Sequence, residues 1–497
     1  MPESRSLPWY KQLSAYHWFV FAVASGAWFF DCLDQRLFSL ARVAALTDLA
    51  PEGTPPGEIQ ALGKEVTAVF LVGWGIGGLL FGALGDRFGR AKMLALTVAI
   101  YSVCTGANFF SQTPFDFALF RFLTGVGVGG VFGLAVALIA ETVPDGARAP
   151  ALGLLQILST IGNVTAGVCK SAIDHLEASG AIQAGQGWRY LFLIGAVPAL
   201  LVVLIQSRLK EPEPWLRAKA AGTLPKGAIL APYANLLSDR RWRKNLIVGA
   251  IIASSGVIGL WAIGEYAIDL QDIVFSKYYQ TEAMADADQA ALINDAGDGD
   301  WFLELVRSAP GKRDEMLVDK PQAEAVLAVA KSIDLAKKTT KNKVFILQML
   351  GAAVGMWVLT KIATIMGRRM MFAIGYAAAF VITIFAYGTM KTPTDAYWMM
   401  PLMFAAQLGL FAGFAIYLPE LFPSRLRSTG TSFCYNLGRF AAAAGSFFSA
   451  SLATNMYGQY GSPQMERYSA MTMCVIFLVG IAVLPFAPET KGQPLPE

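Results

Sequence analysis

The sequence predicts an all-α integral membrane protein with twelve transmembrane helices in two six-helix pseudo-repeats. Of the 497 residues, 55% are hydrophobic and only 15% are charged, whereas a soluble protein carries about 25% charged residues. Apolar runs of about 20 residues, the length that crosses a bilayer, recur along almost the whole chain. Several motifs of the first half also return in the second half at one nearly constant offset.

The apolar runs divide the chain into twelve predicted spans, with boundaries good to about two to four residues. The first run is too long and too charged for a cleaved signal peptide, so it is predicted to remain as a helix. We expect an N-terminal bundle at 1–206, a linker at 207–244 and a C-terminal bundle at 245–497. The spans lie near 17–45, 66–84, 93–110, 117–139, 151–173, 191–206, 246–270, 344–365, 371–387, 397–417, 433–453 and 471–485.

Lys and Arg predict the orientation of the spans. These residues concentrate in the loops after spans 2, 4, 8 and 10 and in the 207–244 linker, and basic loops stay on the cytoplasmic side. We therefore expect a multi-pass protein of the cell (inner) membrane with both termini in the cytoplasm. The extracytoplasmic insertion 271–342 is too long for this rule. It is predicted as a solvated surface loop, with a short amphipathic helix at 321–341.

Three motifs repeat between the halves. The Gly89-Arg90 pair returns 278 residues later as Gly367-Arg368, and a Glu-x-x-Pro-x-x-x-Arg motif returns after 279 residues. Its residues are Glu141 to Arg148 in the first half and Glu420 to Arg427 in the second. Glu211-Pro-Glu213-Pro is echoed by Pro488-Glu489. Six-plus-six repeats of this kind place a substrate site where the two halves meet, near the middle of the membrane.

Charged residues inside the spans are the first candidates for chemistry, because each costs several kcal/mol unless it is paired or faces water. Asp31 and Asp34 share a helix face in span 1, and Arg121 enters span 4. A buried carboxylate that loses its Arg takes up a proton more readily. Asp31 or Asp34 with Arg121 is therefore predicted to couple transport to protons. Alternatively, Asp34 and Arg36 mark the outer end of a shorter helix.

Polar residues in spans 5 and 11 are predicted to contact a substrate. Gln156 and Asn163 are seven apart and share a helix face, whereas Asn436 and Arg439 are three apart, with Arg439 as an anion partner. The glycines at 125–130 lie in an apolar helix without a preceding strand, which favours close helix packing over nucleotide binding. No zinc spacing, His/Cys cluster or embedded Ser/His/Asp set is present. We expect no metal, no cofactor, no nucleic-acid partner and no enzymatic activity.

A charged, Gly-punctuated turn at 82–92 joins spans 2 and 3, and it contains Asp86, Arg87, Gly89 and Arg90. With the repeated motifs, this turn resembles the signature loop of the major facilitator superfamily, and the resemblance covers the chain except 271–342. It implies that Asp86 braces the start of span 11 near Thr431, where the helix dipole is positive. The loop would then act as a latch on alternating access.

Other motifs resemble particular branches of that superfamily. Arg121 with Gly125 and Gly129 is similar to its helix-4 motif, whose Arg partners a helix-1 acid in proton symporters. The repeated Glu/Arg motifs and the end at 488–492 resemble the sugar-porter and metabolite–proton symporter branch. Gln156 and Asn163 are similar to the helix-5 substrate ligands of sugar porters. A Gln-Gln-rich helix-7 motif is absent, which favours an organic anion over a sugar.

The resemblance implies a proton-coupled symporter of a small polar metabolite that works as a monomer in membrane lipid. A sugar or polyol symporter and a transporter-like ligand sensor remain the alternatives. In the second half Thr364 replaces the latch acid, so only the first latch is complete. The residues assigned to gating are Asp86, Arg87, Gly89, Arg90, Glu141, Arg148, Glu420 and Arg427.

Overall fold

The computed structural model describes residues 8–51, 54–183, 185–198, 201, 205, 207–225, 227, 229, 231–264, 266–308 and 310–496. We number the α-helices α1–α19 in chain order. The first half contains α1 Ala15–Leu49, α2 Pro56–Phe88, α3 Arg90–Ala107, α4 Pro114–Thr142, α5 Asp145–Ala178 and α6 Gly187–Ile194, and the linker contains α7 Glu213–Ala220 and α8 Ala231–Ser238. The second half contains α9 Arg240–Ile258, α10 Tyr266–Ala285, α11 Ala287–Ala296, α12 Gly299–Arg307, α13 Pro310–Leu317, α14 Ala323–Met366, α15 Arg368–Thr389, α16 Pro393–Glu420, α17 Arg427–Ser451, α18 Gln464–Met473 and α19 Val475–Val483.

The predicted all-helical membrane fold is confirmed. Within the described residues, nine helices are long and apolar enough to cross a membrane. Helices α1 and α17, with 35 and 25 residues, also exceed the length of a span but carry several polar side chains. Part of the sixth predicted span, at 199–200, 202–204 and 206, lies outside the described residues, and α6 covers its beginning.

The helices of each half pack through repeated glycine contacts. A Cβ on Gly77 of α2 would lie 1.9 Å from the carbonyl oxygen of Val126 in α4. At the equivalent place in the second half, a Cβ on Gly355 of α14 would lie 2.0 Å from the carbonyl oxygen of Ala405 in α16. Only glycine allows backbones to approach this closely. The two halves therefore repeat in packing as well as in motif.

The two halves meet along six long helices, next to a central cavity. Helices α2 and α4 of the first half contact α17, and α5 contacts both α14 and α16. We call the side with the α2–α3, α4–α5, α14–α15 and α16–α17 loops the latch side. The opposite side, which carries residues 286–322, is the insertion side.

The insertion differs from the predicted surface loop. Helix α10 continues the seventh span as far as Ala285, and α14 begins at Ala323 and runs without a break into the eighth span. The helix predicted at 321–341 is thus the first part of α14 rather than a separate short helix. Phe302, Leu305 and Val326 are fully buried in a second hydrophobic cluster. The insertion is consequently a small helical layer with its own core.

Candidate functional site

A cavity of about 130 Å³ lies between the halves, lined by α1 and α5 on one side and by α10, α14, α16 and α17 on the other. Three predicted substrate residues, Gln156, Asn163 and Arg439, line it. The wall is otherwise largely aromatic and aliphatic. Its further members include Trp28, Cys32, Gln35, Arg36, Ser159, Trp261, Phe345, Gln348, Phe411 and Tyr435.

Arg439 is the main charged group of this cavity. Its side chain comes from α17, is only 6% exposed, and stacks with its guanidinium carbon 3.2 Å from the ring centre of Trp74 in α2. A second ring, that of Tyr435, lies at 4.7 Å. Its Nε and Nη1 atoms have no hydrogen-bond partner among the described residues. Buried donors are normally satisfied, so these two nitrogens are available to an acceptor in the cavity.

Gln156 joins the two halves at the cavity wall. Its Oε1 accepts a hydrogen bond of 2.9 Å from Trp28 Nε1, and its Nε2 donates one of 3.2 Å to the carbonyl oxygen of Phe411 in α16. The amide of Asn163, seven residues on, donates to the Ser159 carbonyl of its own helix at 3.1 Å. Both side chains face the same cavity, as their spacing predicts.

The structure does not place Asn436 in the cavity wall. Its amide donates to the Ser432 carbonyl of its own helix at 2.9 Å, and it packs directly over Gly78, where a Cβ would lie 2.1 Å from its Nδ2. Asn436 therefore fills the contact between α17 and α2. Three residues along the helix, Arg439 points to the cavity instead.

The two acids of α1 have different partners, and both are fully buried. Asp34 forms an ion pair with Arg121 at 3.3 Å and accepts a 2.8 Å hydrogen bond from Thr105. Asp31 accepts one from Gln35 at 2.9 Å, while its Oδ2 has no partner among the described residues. Asp31 also interacts electrostatically with Arg439. Arg121 is therefore paired with Asp34, and Asp31 is linked to the cavity.

Trp74 was not predicted from the sequence, and Arg36 was predicted only as the end of a helix. Arg36 lines the cavity and stacks over Phe345, with its guanidinium carbon 4.2 Å from the ring centre. Trp74 is 2% exposed and provides the platform for Arg439. The position of Arg36 inside a predicted span, directly after Gln35, was an indication in the sequence that it lines a cavity. Nothing in the local sequence around Trp74 distinguishes it from an ordinary apolar residue.

On the latch side, Asp86 of α2 binds the first turn of α17. It accepts hydrogen bonds from the backbone N–H of Ser428 at 3.0 Å and of Thr429 at 2.8 Å, and from the Thr429 hydroxyl at 2.6 Å. Arg90 pairs with the same carboxylate at 2.9 Å. These contacts lie two to three residues before Thr431. They satisfy the free N–H groups of a helix start, where a negative charge is favourable.

A second set of contacts closes the same side. Arg427 of α17 pairs with Glu141 of α4 at 2.6 Å, and Ser424 donates to the same carboxylate at 3.1 Å. Arg90 pairs with Glu141 at 3.1 Å and donates to the Ser424 carbonyl. Arg148 remains within its own half, bonded to Asp145 and to the Ala140 carbonyl. The latch side is therefore closed by hydrogen bonds and ion pairs between the halves.

The turn between α2 and α3 adds three further features. Gly89 has φ 111°, a backbone conformation that favours glycine. Arg87 donates to the carbonyl oxygen of Gly227 in the linker at 2.7 Å. The carboxylate of Glu211 accepts from the N–H groups of Ala91 and Lys92, each at 3.1 Å. The start of α3 is thereby capped by the linker.

The second half repeats this arrangement without the contact between halves. Arg368 forms two hydrogen bonds with Glu420, of 3.0 and 2.8 Å. Glu489 accepts from the N–H groups of Arg368 and Arg369, as Glu211 does for α3. Thr364, which occupies the position equivalent to Asp86, donates to the Lys361 carbonyl of its own helix. On the latch side of the described chain, the contacts between the halves therefore involve Asp86, Arg90 and Glu141 of the first half. The equivalent residues of the second half bond within their own half.

The chain matches the family described as sugar (and other) transporter over residues 47–226 and 329–497. It is similar to a probable 4-methylmuconolactone transporter of Cupriavidus pinatubonensis, with 25% identity over 97% of this chain and 93% of the relative. It is also similar to the niacin transporter NiaP of Acinetobacter baylyi, with 30% identity over 41% and 43% of the two chains. The solved proton:xylose symporter XylE superposes with a TM-score of 0.62 at 18% identity, covering 97% of this chain and 98% of XylE.

Proposed function

Because this chain belongs to the sugar (and other) transporter family of the major facilitator superfamily, a family of transporters and not enzymes, we propose that it is a proton-coupled symporter of a small organic anion. The two halves, with limits at 1–206 and 245–497, rock about the central cavity and expose it to each side in turn. The protein works as a monomer in the cell membrane. Both termini lie in the cytoplasm, in keeping with the basic loops of the latch side.

Arg439 carries the proposal for an anion. A buried guanidinium faces the cavity with two nitrogens that have no partner among the described residues, and its planar fork matches a carboxylate bidentately. A sugar offers only neutral hydroxyls, which do not compensate a buried positive charge. Around Arg439, the aromatic walls suit a flat, apolar substrate body.

Neutral polar groups complete the proposed substrate site. Gln156, Asn163 and Gln348 line the same cavity and can hydrogen-bond oxygen atoms at the far end of a substrate. Two relatives, a probable 4-methylmuconolactone transporter and a niacin transporter, also favour small organic acids. The cavity of about 130 Å³ suits a molecule of this size once the halves move apart slightly.

Proton coupling is assigned to Asp31. Its Oδ2 lacks a partner within the described chain, so this oxygen can take up a proton without breaking a hydrogen bond. When Asp31 is ionised, it attracts Arg439 and competes with the carboxylate of the substrate. Proton uptake therefore frees Arg439 to bind the anion. Asp34 and Arg121 form a stable pair that positions α1 against α4.

Uptake into proteoliposomes tests the anion assignment. Uptake of nicotinate, benzoate, xylose and inorganic phosphate, and the inhibition of each uptake by the other three solutes, are measured in the wild type, in Arg439→Gln and in a matched control, Arg241→Gln. The exposed guanidinium of Arg241 stacks over Trp242 far from the cavity. Removing one partner of a buried charge pair costs about 2–5 kcal/mol, so the KM for the anion rises at least about 30-fold in Arg439→Gln. Competition by xylose alone, with an unchanged KM in Arg439→Gln, contradicts the proposal and favours the sugar alternative.

A separate experiment tests the proton step. We expect Asp31→Asn to lose accumulation driven by a pH gradient while it retains counterflow exchange, because the neutral amide imitates the protonated acid. Gradient-driven accumulation that survives in Asp31→Asn contradicts the assignment.

Replacing residues 286–322 by a short Gly/Ser linker tests the alternative that the protein is a ligand sensor. Loss of ligand binding without loss of folding would favour that alternative.

A further inference from the structure

A second cavity, of about 650 Å³, opens on the insertion side away from the substrate site. It lies between α10, the start of α18 and the turn after α15. Its walls combine apolar side chains such as Val274 and Met471 with two tyrosines, Tyr278 and Tyr468. We call it the peripheral groove.

The peripheral groove is separated from the central cavity by α10 itself. Ile268 of this helix lines the central cavity, whereas Lys277 and Thr281 line the groove. At about 100° per residue, these two positions lie roughly 180° and 220° around the helix from Ile268. The groove therefore lies outside the proposed substrate path.

Four cationic side chains converge on the groove. Arg467 is 8% exposed and is held in place by donating to the carbonyls of Tyr387 and Met390. Lys277, Arg307 and Lys391 form an exposed rim. The groove also contains one acid, Glu282, so its lining carries an excess of positive charge.

These charges have few partners of opposite sign in the described part of the chain, although Lys391 interacts electrostatically with Asp395. None of the four cations forms an ion pair with a carboxylate of the described residues, although other lysines of the insertion do, such as those bound to Asp272. Arg467 also has a buried Nε without a hydrogen-bond partner in the described chain. Among the described residues, the buried guanidinium of Arg467 donates only to carbonyl oxygens, so an anion bound beside it would stabilise its positive charge.

We expect the groove to lie at the level of lipid headgroups, because it is found at the ends of membrane helices. Lys391 is in the turn between two membrane helices, and Arg467 is in the first turn of the last membrane helix. Tyrosines concentrate at this interface. The apolar wall below the tyrosines can accept an acyl chain. A free anion would leave this wall uncovered.

We propose that the peripheral groove binds the phosphate headgroup of an anionic phospholipid from the leaflet on the insertion side. The lipid fastens the insertion to the start of the last span, because it contacts α10, α12 and α18 together. This site is independent of the substrate proposed above.

Thermal unfolding and native mass spectrometry of the full-length protein test the site. The triple variant Lys277→Gln/Arg307→Gln/Lys391→Gln removes the rim but leaves the fixed Arg467 and the fold in place. Its matched control, Lys331→Gln/Lys338→Gln/Lys343→Gln, removes three exposed lysines outside the groove and changes the net charge equally. Each protein is titrated with phosphatidylglycerol, with phosphatidylcholine and with inorganic phosphate.

We expect phosphatidylglycerol to raise the unfolding temperature and to remain bound to the wild type and the control. In the rim variant its apparent affinity falls roughly 100-fold, since each basic residue near the headgroup strengthens binding several-fold. Equal effects of phosphatidylcholine, or an unchanged affinity in the rim variant, would overturn the proposal. The same holds if inorganic phosphate alone reproduces the full shift, because the groove is then a free-anion site.

Discussion

Replacing Asp86 by Asn is expected to open the latch side. The carboxylate faces four donors, namely the N–H groups of Ser428 and Thr429, the Thr429 hydroxyl and the guanidinium of Arg90. An amide keeps one oxygen and presents an NH₂ group in place of the other. Whichever way it turns, at least one N–H donor then faces another donor, because only the Thr429 hydroxyl can accept from the NH₂ group.

The size of the effect follows from these bonds. Hydrogen bonds to a charged group contribute about 1.5–3 kcal/mol each, and neutral ones about 0.5–1.5. The bonds to Ser428 and Thr429 exist only while the halves touch on this side, so their loss destabilises that conformation selectively. We expect a cost of about 2–4 kcal/mol, which shifts the equilibrium roughly 30- to 700-fold away from the closed latch.

Spin labels measure the shift directly. Cysteines at the exposed positions Lys92 and Arg369 report the distance across the latch side, after the partly exposed Cys104 and Cys169 are replaced by serine. The longer distance should predominate in Asp86→Asn. Thr364→Val is the matched control, because its hydroxyl bonds only within its own helix, and it should leave the distances unchanged. An unaltered distribution in Asp86→Asn, or an equal change in Thr364→Val, would refute the gating role.

Three further predictions concern stability. Burial raises the pKa of Glu489, but hydrogen bonds from backbone N–H groups at the start of α15 and in its own tail outweigh burial and hold this pKa below the ordinary 4.5. The stability that these bonds contribute is therefore complete above pH 4.5 and is lost as the pH falls through the lowered pKa. The stability gap between wild type and Glu489→Gln should therefore close on acidification, and a gap that widens would contradict the sign. Gly129→Ala should lower the unfolding temperature, because its Cβ would lie 2.1 Å from the Trp74 carbonyl, whereas Gly167→Ala, with nothing within 4 Å, should stabilise its helix by up to about 1 kcal/mol. Asp34→Asn should destabilise by about 3–5 kcal/mol by leaving Arg121 buried and unpaired, and adding Arg121→Gln should recover part of the loss; no recovery would show that the two side chains act separately.

Much of the fold could be predicted because its causes are local in the sequence. Length and hydropathy of each run indicate a membrane helix, and the 278–279 offset reveals the repeat. One signal was overlooked. Thr113 and Asp116 form a capping box at the start of α4, and Thr392 and Asp395 form the same box at α16, again 279 residues later. The start of α4 and the start of α16 were therefore both predictable from the sequence.

The insertion was harder to interpret. Its many lysines and acids suggested a solvated loop, yet apolar residues at helical spacing, such as Phe302 and Leu305, bury a small core. Polar composition measures how much surface a segment exposes to water. It does not reveal whether the remaining apolar residues find one another, which depends on how several short helices pack.

By itself, the sequence determined the membrane class, the two halves, the family and the acid of the latch, because hydrophobicity, spacing and motif are properties of neighbouring residues. Only the tertiary structure decided that Arg121 pairs with Asp34, that Asp31 interacts electrostatically with Arg439, and that Asn436 lies outside the cavity. These choices depend on the rotation of each helix about its axis and on contacts between residues hundreds of positions apart. A turn of one residue, about 100°, is enough to exchange a cavity ligand for a packing contact.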